Sequence, residues 1–94
     1  MRTKSDLNQA AIVRTFRQAG AFVQDLHTVG HGCPDLLVSF SGQWWAVEVK
    51  SKRGFLSPDQ IVWHKSARAP VVIIRSCFDV IDFRNDPKKY LENN

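Results

Sequence analysis

Two carboxylates and an ammonium group are the residues whose types and spacing could do chemistry: Asp35, Glu48 and Lys50. Glu48 and Lys50 are separated only by Val49 in a run rich in β-formers, Gln43-Trp44-Trp45-Ala46-Val47-Glu48-Val49-Lys50. Side chains at i and i+2 of a strand point to the same face, so the two charges share one face while Val47 and Val49 turn toward a core. Taken alone, that strand is explained by a solvated face on which Glu48 pairs with Lys50. Asp35 changes the balance, because carboxylate oxygens converging from separate elements are what hard divalent cations require.

The elements that would bring them together follow from the local sequence. Leu36-Leu37-Val38-Ser39-Phe40 is a second strand, and Ser41-Gly42 between the two runs is a hairpin signal. Folded as a hairpin, Asp35 at the start of one strand lies across from the end of the other, so two carboxylates and an ammonium gather at one rim of a sheet.

Pro34-Asp35, twelve intervening residues and Glu48-Val49-Lys50 resemble the PD-(D/E)xK nuclease signature. Gly32-x-Pro34-Asp35-Leu36-Leu37, Glu48-x-Lys50 and Leu56-Ser57-Pro58-Asp59-Gln60-x-x-Trp63 are together similar to the VRR-NUC (virus-type replication-repair nuclease) branch. The resemblance implies metal-dependent hydrolysis of a phosphodiester. Asp35, Glu48 and the backbone carbonyl of Val49 would hold Mg²⁺ or Mn²⁺, and Lys50 would orient a water or stabilise the developing oxyanion. It also gives Gln60 a role in positioning the lysine or the water. The family usually places a Glu on the first helix, yet no Glu precedes Glu48 here, which leaves Gln9 or Asp6 for that place and favours one firmly held ion over a bound pair.

Length limits this reading to one domain over residues 1–94, small enough for dimerisation to help its stability. Lys and Arg number 13 against 9 acids, a net charge of +4 that suits a polyanionic partner. Cys33 and Cys77 form no CxxC pair and no apolar stretch approaches the length of a membrane span, so a reducing cytosol and structural thiols are expected.

Along the chain, Ser5 is a candidate cap for a helix carrying Leu7, Ala10, Val13 and Phe16, which Gly20 stops. Arg14 and Arg17, a turn apart on its polar side, are candidate phosphate contacts or ordinary surface. Residues 21–26 read as a short strand, followed by His27-Thr28-Val29-Gly30-His31-Gly32, a glycine-punctuated loop in which His31 could touch a phosphate. No zinc spacing accompanies its histidines. Lys52 and Arg53 follow the proposed rim, where a DNA backbone would run.

Ser57, Pro58 and Gln60 form the signature of a helix start with a capping box, which is itself a complete explanation for Gln60. That helix carries Trp63 and His64 to Ala67, with Lys65 on its basic side. Val71–Ile74 is an apolar strand expected in the middle of a sheet, and Ser76 caps a last helix that Pro87 ends, leaving a polar tail. The expected order is α-β-β-β-α-β-α, an α/β fold with a small mixed sheet flanked by helices, the restriction-endonuclease-like core in minimal form.

Stand-alone members of the family resemble phage or prophage proteins that act as symmetric dimers on branched DNA. The resemblance thus implies a homodimeric endonuclease of four-way junctions in the cytoplasm of a bacterial host. A flap or nicking repair nuclease is the nearest alternative, and a degenerate module that only binds DNA is the alternative from another class.

Overall fold

The protein, described here by a computed structural model, is defined over residues 4–91, with side chains from residue 8 onward. Its elements run α1 (Lys4–Gln18), β1 (Phe22–Asp25), β2 (Leu36–Phe40), β3 (Gln43–Val49), α2 (Pro58–Ala67), β4 (Val71–Ile74), α3 (Cys77–Asn85) and α4 (Pro87–Leu91). The expected cap Ser5 and the candidate Asp6 have side chains outside the described residues.

The four strands form one sheet in the order β1-β2-β3-β4. The first three make an antiparallel meander, and β4 joins β3 in parallel after the α2 crossover. Ser41 and Gly42 close the β2–β3 hairpin with φ of 53° and 75°, the pair of positive angles that matches the twist of the flanking strands.

One face of the sheet carries Val23, Leu36, Val38, Val47, Val72 and Ile74 against Ile12 and Phe16 of α1 and Val80 and Phe83 of α3, all buried. Phe83 is the aromatic centre of this layer, with ring centroids 5.4 Å from Phe40, 5.2 Å from Trp45 and 6.3 Å from Phe16. Edge-to-face aromatic packing of this kind fixes ring orientation beyond simple burial. The opposite face is covered only in part. His64 of α2 approaches Glu48 there, while Phe22 and Trp44, in edge contact at 5.9 Å, stay 54% and 63% exposed.

The structure corrects two expectations. β4 lies at the sheet edge, not in the middle: its apolar run reflects helical cover, with Ile74 in the core beside α3 and Val71 and Ile73 lining a cavity with α2 residues and Leu91. Pro87 does not open a polar tail but starts α4, since proline suits a first helical position. Tyr90 ties that helix to α3 by donating to Asp79 at 3.2 Å and Asp82 at 3.0 Å.

Candidate active site

The β2–β3 register pairs Leu36 with Val47, and continuing it by one step sets Asp35 opposite Glu48. Asp35 is held there because its Oδ2 accepts a hydrogen bond of 2.8 Å from the backbone N–H of Val49. Lys50 continues from β3 with its own N–H donated to Ile74 O at 3.1 Å. Backbone pairing thus fixes the Cα positions of all three residues before any side-chain chemistry is considered.

Glu48 is fully buried, which removes the reading of a solvated face. Neither of its carboxylate oxygens has a hydrogen-bond partner among the described residues, and the same is true of His64 Nε2, which stands 3.5 Å from Glu48 Oε1. Burial, then the Asp35 carboxyl, push Glu48 up to about 9 from its usual 4.5, against the opposing pull of Lys50. Unpaired buried carboxylate oxygens are uncommon enough to call for an explanation. Burial and Lys50 also hold the His64 imidazole below its ordinary range.

Gln9, Asp35, Glu48, Val49, Lys50 and Gln60 all line one cavity of about 340 Å³. The structure therefore brings together every residue singled out for the rim, including the helix-one candidate. Gln60 does form the capping box: its Oε1 accepts from Ser57 N at 2.9 Å and its N–H donates to Ser57 Oγ at 3.3 Å. With its oxygen engaged in the cap, its amide NH₂ is what it can offer the cavity. Its helix is set against the signature loop at Gly32 (φ +84°), where an added Cβ would lie 2.3 Å from the Asp59 carbonyl oxygen.

Other candidates are placed less uniformly. Arg17 lines an adjoining cavity of about 550 Å³ that shares Gln9 and Asp35 with the first. Of the two loop histidines, His27 lines that cavity, with Nδ1 2.7 Å from Asp25 Oδ1. His31 is exposed with φ of 56° and lines neither cavity. Arg14 is exposed on α1, and Lys65 lines a separate cavity with Ile73 and Leu91. Lys52 and Arg53 are exposed on a loop that Arg75 pins, its Nη1 donating to Ser51 O at 2.7 Å and Gly54 O at 2.9 Å.

Sequence reasoning missed His64, Arg75, Asn8 and Phe55. His64 had a legible signal, since it follows Gln60 by four residues and so shares its helix face. Asn8 reaches Lys50 O at 3.5 Å and lines the site cavity beside Gln9. Nothing local marks Arg75 as a loop anchor or Phe55 as an 88% exposed ring at the cavity.

The donor set fits a hard divalent cation. It offers the two orphaned oxygens of Glu48 and the Asp35 carboxylate, and Val49 beside them. Among the described residues, no group of three His, Cys, Asp or Glu side chains gathers as a metal site. Mg²⁺ characteristically needs only one or two carboxylates and completes its shell with water and substrate phosphate. Cys33 is a poor candidate nucleophile, because burial, with Glu48 and Asp35 nearby, holds its thiol above the usual range.

No protein-family model matches the sequence, and no curated protein does. A solved structure described as a VRR_NUC domain superposes with a TM-score of 0.72 at 28% sequence identity, over 90% of this chain and 98% of that one. With 90% of the chain covered, the likeness supports a nuclease domain of the VRR-NUC type, in which Asp35, Glu48 and Lys50 line one cavity.

Proposed function

We propose that the domain is a Mg²⁺- or Mn²⁺-dependent DNA endonuclease that hydrolyses phosphodiester bonds, acting on branched DNA as a homodimer. The observation that carries the metal reading is Glu48: a fully buried carboxylate with both oxygens unpartnered, beside Asp35 and Lys50. Asp35, Glu48 and the Val49 carbonyl would hold the ion, which when bound supplies a Lewis acid for a water and a phosphate oxygen. Lys50 places its ammonium at the same cavity, where it orients the attacking water or meets charge growing on the phosphate oxygens. Gln60 contributes its amide NH₂ from the opposite wall, and Gln9 occupies the position of a helix-one ligand as a neutral group. Lys52 and Arg53 contact phosphates of the strand entering the site, with Arg14, Arg17 and Lys65 as more distant basic groups and His31 at the loop tip.

Two surface features support the finer parts of this reading. Phe55, 88% exposed at the cavity, offers a ring on which a base freed from pairing can stack, as at a branch point. Phe22 and Trp44 leave aromatic surface on the uncovered sheet face, which suits a second copy of the chain. Paired cuts need that second site.

The test is cleavage of a labelled four-way junction, a 5′ flap and a linear duplex of matched sequence in Mg²⁺ or Mn²⁺, with Glu48→Ala and Lys50→Ala as controls. Paired symmetric nicks on the junction, lost in both variants, are expected. Preferential cutting of flap or duplex would replace the junction reading with a repair nuclease. Binding without metal-dependent cleavage would leave a binding module.

A further inference from the structure

Glu48 lines one cavity with Asp35, Lys50 and Gln60. His64, whose Nε2 comes to Glu48 Oε1, does not line that cavity but a second one, with Leu56, Ile61, Val71 and Ile73. Its side chain is 13% exposed and that of Glu48 1%, with Nε2 and Oε1 3.5 Å apart. Both atoms are buried, and neither makes a hydrogen bond among the described residues. Two stranded polar atoms facing one another across that distance need only a small shift to make one hydrogen bond.

The helix makes the approach reproducible. The capping box sets the start of α2, and Gln60 and His64 lie four residues apart on one face. Gln60 lines the site cavity and His64 comes to Glu48 from the same helix. We propose that His64 is a positioning residue for the metal site: its Nε2–H donates to Glu48 Oε1, committing that oxygen and leaving Oε2 for a divalent cation on the Asp35 side. The proposal rests on the metal reading above. Groups that orient a ligating carboxylate typically alter metal affinity by about 10- to 100-fold when removed.

Three variants separate this role from simple packing. His64→Leu keeps most of the volume and removes the donor. His64→Gln carries an amide nitrogen near the place of Nε2, whereas His64→Asn is polar but too short to reach. Mn²⁺ binding to the DNA-free protein is measured by isothermal titration calorimetry, with circular dichroism confirming the fold of each variant. Wild type and His64→Gln should bind within a few-fold of one another, and His64→Leu and His64→Asn about 10- to 100-fold more weakly. If His64→Leu does not fold, the Gln and Asn pair still decides. Equal Mn²⁺ affinity in wild type, His64→Asn and any folded His64→Leu would overturn the proposal while leaving the metal reading standing. Absence of Mn²⁺ binding by the wild-type protein would overturn the metal reading and the proposal with it.

Discussion

Replacing Glu48 by Gln should make the metal-free protein more stable at neutral pH. The substitution keeps shape and removes a carboxylate that is fully buried and without a hydrogen-bond partner. The native group holds its proton up to about 9, whereas the ordinary value is 4.5. Over that interval the folded state binds a proton that the unfolded state releases. Stability from this residue is therefore complete below about 4.5 and is lost progressively as pH rises toward about 9. Each tenfold difference in proton affinity corresponds to about 1.4 kcal/mol, so a sealed interior would lose about 4 kcal/mol by roughly pH 7.5. Water entering the open cavity screens the charge and brings the expected difference to about 2 kcal/mol. For a domain of this size that is about 10 °C in Tm. Differential scanning calorimetry in chelator across pH 4.5 to 8.5 would show the variant melting above wild type at high pH and the two converging at low pH. Added Mn²⁺ should raise the wild type and not the variant. A variant that melts below wild type at pH 7.5 in chelator, or a gap that does not close in acid, would refute the argument.

Gly32→Ala would drive a Cβ into the Asp59 carbonyl at a positive φ, with an expected loss of about 2–4 kcal/mol in urea unfolding; a loss under about 1 kcal/mol would mean the loop and α2 are not in close contact. Arg75→Ala frees the Ser51 and Gly54 carbonyls and should weaken DNA binding several-fold by fluorescence anisotropy, whereas unchanged affinity would show that the basic loop needs no anchor. Phe55→Ala should narrow the preference for junction over duplex while Phe55→Trp retains it, measured as the ratio of cleavage rates; an unaltered ratio in Phe55→Ala would remove the ring from substrate choice.

Much of this architecture could be read from the chain because the governing signals are local. Ser41-Gly42, the Ser57 to Gln60 box and the Ser76 cap each act within a few residues, and each is found as expected. The meeting of Asp35 with Glu48 and Lys50 was legible because a hairpin with a two-residue turn has one register that also buries Leu36, Val38 and Val47. The depth of Glu48 was not legible, since alternation assigns a face but not what approaches it, and His64 comes to it from outside the strand. The edge position of β4 was hidden for the same reason: helices bury an edge strand as thoroughly as neighbouring strands bury a central one. Arg75 acts on carbonyls at Ser51 and Gly54, whose distance in sequence leaves no periodic trace.

The meeting of Gly32 with the Asp59 carbonyl has a mechanical consequence. No side chain lies between the signature loop and the first turn of α2 at that point, so there is no compliant layer to absorb relative motion. A tilt of the helix would be transmitted through main chain toward Pro34 and Asp35. The tilt of α2 and the aim of a carboxylate inside the cavity are thereby geared to one another.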